Sequence, residues 1–141
     1  GTPYNSVTNP DPTAFGAPGG GNIQLAGNDT RNSPRWSWNL HGEYDFAARI
    51  GTFTPSIDVS YKSRTYFSEY MRNIESSRAY TLVDASLAYE TNDGRIRAQL
   101  WAKNLSDVFR PSSTFALATG RLLGATWLPP RTYGVTVGYK F

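Results

Sequence analysis

His41 is the single histidine of the chain, and its neighbours decide what chemistry it can do. In an extended segment side chains two apart share a face, which sets His41 beside Asn39 and Glu43. An imidazole next to a carboxylate can hold a proton or one corner of a metal site. Zinc, however, takes further nitrogen or sulfur ligands at fixed spacing, and the chain has no second histidine and no cysteine. Partnering His41 with an inward serine such as Ser37 or Ser60 would make a hydrolase, yet no nucleophile elbow surrounds either. Gly16-Ala-Pro-Gly-Gly-Gly-Asn22 lacks the Lys-Ser/Thr that closes a phosphate-binding loop. These residues predict no enzyme, no metal and no cofactor. What remains is a mixture of rings and cations in two long segments. Tyr66, Phe67, Tyr70, Arg72 and Arg78 occupy one; Arg110, Phe115, Arg121 and Trp127 occupy the other. Aromatic faces beside guanidinium donors suit an anionic chelate or a sugar ring. Tyr66, Phe67, Tyr70, Arg72, Arg78, Arg121 and Trp127 are therefore the candidate ligand contacts, against the plainer reading of solvated loop residues.

Such loops need elements to hold them, and five segments alternate with the period of two that marks a strand. They run over about 36–47, 52–62, 80–91, 95–105 and 131–141. In the last, Tyr133, Val135, Val137, Tyr139 and Phe141 share one face, while Thr132, Gly134, Thr136, Gly138 and Lys140 share the other. Each segment is long for a soluble strand and suits a tilted membrane crossing of about 9–11 residues. The connections alternate too. Residues 48–51 and 92–94 are short turns, whereas 63–79 and 106–130 are long loops, the asymmetry of outer-membrane barrels. Residues 1–35, rich in Gly, Pro, Asn and Thr, show no sustained period and read as an external loop or flexible segment.

Register tests the reading. Closing a hairpin on Asp93-Gly94 sets Tyr89 opposite Ala98, Leu87 opposite Leu100 and Ala85 opposite Ala102. The reverse face then pairs Glu90 with Arg97 and Asp84 with Lys103. A slip of one residue would turn both cations to the apolar side. Pro55 has no N–H to give its neighbour and predicts a local bulge. Trp36, Trp38, Tyr61, Tyr80 and Tyr133 gather near the long-loop ends, and Tyr44, Phe46, Phe53, Tyr89, Tyr139 and Phe141 near the short-turn ends. Aliphatic residues fill the middle. Two aromatic girdles around such a belt match a bilayer's two interfaces. A β-sandwich, the alternative, would bury its bulky residues at strand centres.

Composition agrees. The mean hydropathy of −0.47 hides the apolar face, since half of every strand is polar. No run of 18 apolar residues exists, so no helix spans a membrane. Aromatics make up 14% of the 141 residues, more than a soluble core needs. The net charge of +3 is scattered among acids, with no basic stripe for nucleic acid. Five strands cannot close a membrane barrel, which takes about eight or more. At least one strand is expected before the first, so the chain reads as the closing part of something larger.

At this point a family comes into view. Asn32-Ser-Pro-Arg-Trp-Ser, Tyr61-Lys-Ser-Arg-Thr-Tyr-Phe67 and Leu82-Val-Asp-Ala-Ser-Leu-Ala-Tyr89 stand before, after and within strands. Trp101-Ala-Lys-Asn-Leu-Ser-Asp107 and Pro129-Pro-Arg-Thr-Tyr-Gly-Val135 complete the set. Over about residues 30–141 the chain resembles the carboxy-terminal part of TonB-dependent outer-membrane receptors. The resemblance implies an all-β, antiparallel transmembrane barrel of about 22 strands, of which these are the last five. It implies active import of a bulky nutrient such as an iron–siderophore chelate, in the outer membrane of a Gram-negative bacterium. The implied partners are membrane lipid, an N-terminal plug with the remaining strands, TonB acting through the absent N-terminal region, and the transported ligand. The terminal strand also resembles the signal read by the barrel-assembly machinery, which maps onto Thr132, Gly134, Val137, Tyr139 and Phe141. A passive porin or autotransporter-type barrel end, or a soluble β-sheet binding module, is the competing reading. Val137→Arg should block membrane assembly, because a cation amid hydrocarbon costs roughly 2–4 kcal/mol. Membrane fractionation checks this, and normal insertion would reverse the assignment of faces.

Overall fold

The computed structural model of the chain describes residues 27–68, 71, 73–117 and 122–141. Among them lie ten strands: β1 (Ser37–Glu43), β2 (Phe46–Ala48), β3 (Gly51–Lys62), β4 (Thr65–Tyr66), β5 (Ser76–Ser77), β6 (Tyr80–Thr91), β7 (Ile96–Lys103), β8 (Pro111–Leu117), β9 (Leu122–Trp127) and β10 (Thr132–Tyr139). One short 3-10 turn covers Asn73–Glu75. A six-stranded antiparallel sheet runs β1-β3-β6-β7-β10, with β2 also on β3. The hairpins β4–β5 and β8–β9 form separate two-stranded sheets. The chain divides accordingly into two compact units. One is the large sheet, from residues 36–63, 79–110 and 128–141; the other gathers the long connections.

Two expectations change. The connections at 63–79 and 106–130 are not bare loops, since they carry β4–β5 and β8–β9. Pro55 makes no bulge: Glu43 stands opposite Ser56 and Phe46 opposite Phe53, one register throughout. Tyr44 N still donates to the Pro55 carbonyl at 3.2 Å. The return bond is missing because proline has no N–H, so the first strand divides into β1 and β2 without slipping.

The pairing separates the side chains by chemistry. On one face Leu40 meets Val59 and Val83; beside them run Ile57, Ala85, Ala102 and Tyr133, then Pro55, Leu87, Leu100 and Val135. None of these is buried. Leu100 is 54%, Val137 69% and Tyr133 80% exposed, and Phe67, outside the sheet, is the one buried hydrophobic among the described residues. A sandwich would have covered them. Toward one end Phe46, Phe53 and Tyr89 form a ladder of rings with centroids 5.3 and 4.9 Å apart. Trp38 stacks on Tyr61 at 5.7 Å toward the other. Aromatic pairs contribute about 0.5–1.5 kcal/mol each beyond the area they cover.

The short turns fix the ladder. Gly51 has φ +150°, and a Cβ there would collide with the Glu90 carbonyl of the adjacent strand. The Ala48–Gly51 turn leaves carbonyls that the next hairpin satisfies: Asn92 Nδ2 donates to Arg49 O at 2.8 Å, and the Tyr89 hydroxyl to Ile50 O. In the second turn Gly94 alone takes positive φ, at 68°. Asp93 contributes its carboxylate instead, accepting the Thr91 hydroxyl at 2.6 Å and the Arg95 amide at 3.1 Å. The first of these bonds above all, then the second, holds the Asp93 carboxyl below its ordinary 3.8. The native turn thus favours the ionised form. Its contribution is complete above about pH 4 and is lost as the pH falls through the lowered value. The stability gap between the native chain and Asp93→Ala should stay constant from about pH 7 to 5 and close below about pH 4. A gap unchanged in acid unfolding curves would remove the carboxylate from the turn's stability.

Candidate functional site

The long connections form a unit with an unusual interior. Thr65 and Tyr66 pair with Ser77 and Ser76, and Phe67 N donates to Glu75 O at 2.8 Å. Phe67, Thr65 and Glu75 are each 5% exposed and Ser77 is 2% exposed. The Ser68 hydroxyl donates to Glu75 Oε2 at 2.6 Å, and Arg64 reaches Asn73 Oδ1 at 3.3 Å. Among the described residues of this unit, the enclosed groups are one ring and several polar side chains. Phe67, a candidate contact by sequence, is enclosed there and presents no face to a ligand. Tyr66 is half-buried, Arg78 is exposed and Trp127 is largely so. Tyr70, Arg72 and Arg121 lie outside the described residues. In β8–β9 the Phe115 ring lies over Gly124, leaving Phe115 and Leu122 exposed. Arg110, in the large-sheet unit, donates to Phe109 O while its Nε is buried without an acceptor.

Residues that the sequence reading used only as a family mark turn out to form a clasp. Asn104 has φ +53°, a conformation asparagine tolerates, and is 5% exposed. Its Nδ2 donates to Val108 O and Pro129 O, both at 3.0 Å. Its Oδ1 accepts from Val108 N at 2.9 Å. Its own N–H goes to Asp84 Oδ1 at 2.8 Å. Around it Leu105 N donates to Val83 O, the Ser106 hydroxyl to Thr81 O, and Arg131 pairs with Asp107 at 3.5 Å. Asn104 and Asp107, three apart, both take positive φ there, a conformation these two residue types tolerate.

The polar face of the sheet is a lattice of paired groups. Arg97 meets Glu90 at 3.4 Å and Lys103 meets Asp84 at 3.7 Å. Ser56 and Ser86 share a bond at 2.8 Å, and Gln99 donates to Ser86 at 3.1 Å. His41 Nδ1 lies 2.7 Å from Asp58 and Nε2 lies 3.9 Å from Glu43. Both ring nitrogens face carboxylates rather than a serine, and no group of three metal-ligating side chains occurs among the described residues. Trp101 has inward parity, and Gly134 explains how it fits. A Cβ on Gly134 would strike the Trp101 indole, so the ring lies across the glycine of β10. The neighbours in that strand divide between faces: Thr132 is opposite Lys103, Val137 opposite Ala98, and Tyr139 opposite Ile96 with its ring edge-on to Phe141.

An open antiparallel wall with opposite chemistry on its faces narrows the relatives, and the comparison with known families decides. The family model of the TonB-dependent receptor-like β-barrel matches residues 2–105. The chain belongs to the TonB-dependent receptors. Two solved receptors share the fold. The ferric yersiniabactin uptake receptor FyuA from Yersinia pestis superposes with a TM-score of 0.72 at 21% identity, over 83% of this chain and 18% of that one. BauA, the ferric preacinetobactin receptor from Acinetobacter baumannii, gives 0.63 at 24% identity, over 83% of this chain and 16% of its own. No curated protein matches the chain. The segment therefore spans less than a fifth of either solved receptor, and its sheet is an unclosed piece of a receptor barrel.

In that receptor wall the Trp101–Gly134 contact is a packing joint between β7 and β10. Gly134→Val should destabilise the folded barrel by about 1–3 kcal/mol through overpacking, and should cost less when Trp101 is already alanine. Equal losses in both backgrounds, read by the heat-dependent gel shift of the folded barrel, would separate the two residues.

Proposed function

We propose that this chain is the carboxy-terminal wall of an outer-membrane receptor that takes up a ferric chelate, using TonB as its link to the proton gradient. The observation that carries the reading is the two-faced sheet: exposed Leu100, Val135 and Val137 on one side, and the Arg97–Glu90 and Lys103–Asp84 lattice on the other. An apolar face without a protein partner fits hydrocarbon, and a polar face of paired charges fits a wet lumen. Membership in the receptor family supports the transport class, and the ferric chelates of FyuA and BauA support an iron chelate as its object. Plug, TonB-contact region and remaining strands belong to the rest of the receptor.

Capture falls to the long connections. Arg78 offers a free-standing cation to an anionic chelate, while Tyr66 and Trp127 offer ring surface, with Tyr70, Arg72 and Arg121 as further contributors. Thr132, Gly134, Val137, Tyr139 and Phe141 supply the assembly signal, Gly134 serving at the same time as the seat of Trp101. The whole receptor, expressed in a strain lacking its own siderophore receptors, should restore growth on a ferric siderophore under iron limitation. Uptake should stop on adding a proton uncoupler; uptake that continues would favour a passive pore. Arg78→Ala should weaken chelate binding about fivefold or less, the scale of one exposed charge pair.

A further inference from the structure

We propose that Asn104 is the positioning residue of the two strand-end stems at 108–110 and 128–129: one amide side chain holds both of them to the end of β7 within the large-sheet unit. The proposal rests on the import reading only for its consequence at the ligand. Three separated stretches converge on this amide: the end of β7, Val108 on the outgoing stem, and Pro129 on the returning stem. The bond to Pro129 joins residues 25 apart in sequence, so it closes the loop rather than decorating a turn. Beyond it the stems share a rung, Leu128 N to Arg110 O at 2.9 Å. Asp84 and Val83 of β6 anchor the clasp from the other side, through Asn104 N and Leu105 N.

The site has no substitute for the amide. Pro129 lies in a Pro129-Pro130 pair, and Pro130 has no backbone N–H to give. The Arg131–Asp107 pair is half-exposed and therefore weak. An aspartate could still accept from Val108 N but could not donate to the two carbonyls. A glycine would keep the left-handed backbone and remove every side-chain bond. These two variants separate conformation from bonding.

The test uses the full receptor in lipid nanodiscs, carrying Asn104→Gly or Asn104→Asp, with amide exchange read by mass spectrometry. Leu128 is the decisive reporter, because its acceptor is Arg110 and not Asn104. Its exchange should rise roughly tenfold or more in the glycine variant and by an intermediate factor in the aspartate variant. Amides of β6, β7 and β10 should keep their native protection. Unchanged exchange at Leu128 overturns the proposal, and so does protection lost equally along β7 and β10. In a second arm ferric yersiniabactin and ferric preacinetobactin serve as probes of the native receptor. Where it binds either, Asn104→Gly should raise the Kd with the number of sites unchanged, and an equal Kd would confine Asn104 to the sheet. A native receptor that binds neither counts against the chelate reading, while the exchange result still decides the role of Asn104.

Discussion

A sheet with both faces open has no core of its own, and everything else in this chain follows from how that is tolerated. Its strength lies in the ladder: β3 and β6 pair without a break from Gly51 with Thr91 to Lys62 with Tyr80. Against an apolar medium on one side, as the receptor-barrel fold implies, that ladder would be compulsory, because an unpaired backbone group in hydrocarbon has no water to turn to. Pro55 shows how narrow the tolerance is. It removes one N–H, yet its carbonyl still accepts from Tyr44, and the register continues unshifted on either side. A bulge would have turned Glu43 or Asp45 toward the apolar face, a larger penalty than one lost bond.

The wall was readable from sequence for the same reason. Two solvents on two sides impose an alternation, and the alternation survives in the residues: Leu87 against Leu100, Glu90 against Arg97. The turn was half-readable. Asp-Gly announced where the hairpin closes, but Asp93 works there through its carboxylate and only Gly94 through its backbone. Where both sides meet the same environment the signal fades. The β8–β9 strands, Pro111-Ser-Ser-Thr-Phe-Ala-Leu117 and Leu122-Leu-Gly-Ala-Thr-Trp127, carry no steady period and read as loop. Phe67 looked like ligand surface because a ring within a polar segment says nothing of which way it points.

Motifs that identify a family need not be the ones that touch its cargo. The Lys-Asn-Leu-x-Asp run marks the chain as a receptor, and in the structure it ties strand ends and a loop stem together. Gly134 likewise belongs to the terminal pattern and is also the space Trp101 needs. A residue pattern read along the chain shows the glycine but not the indole that lies across it.

The two units are held together internally by different physics. The sheet has long ladders and stacked rings. Among its described residues the loop unit encloses one ring, Phe67, worth about 1.5–3 kcal/mol of burial, and four buried polar side chains, Thr65, Glu75, Ser77 and Thr114. Its cohesion comes from hydrogen bonds to polar partners, each adding only about 0.5–1.5 kcal/mol net, and Thr114 Oγ1 has no partner at all. Contacts of that kind open at lower free energy than a continuous ladder does. For a receptor this is a useful asymmetry. The bonds of Asn104 lie within the sheet unit, at the two stems that stand where the ladder ends.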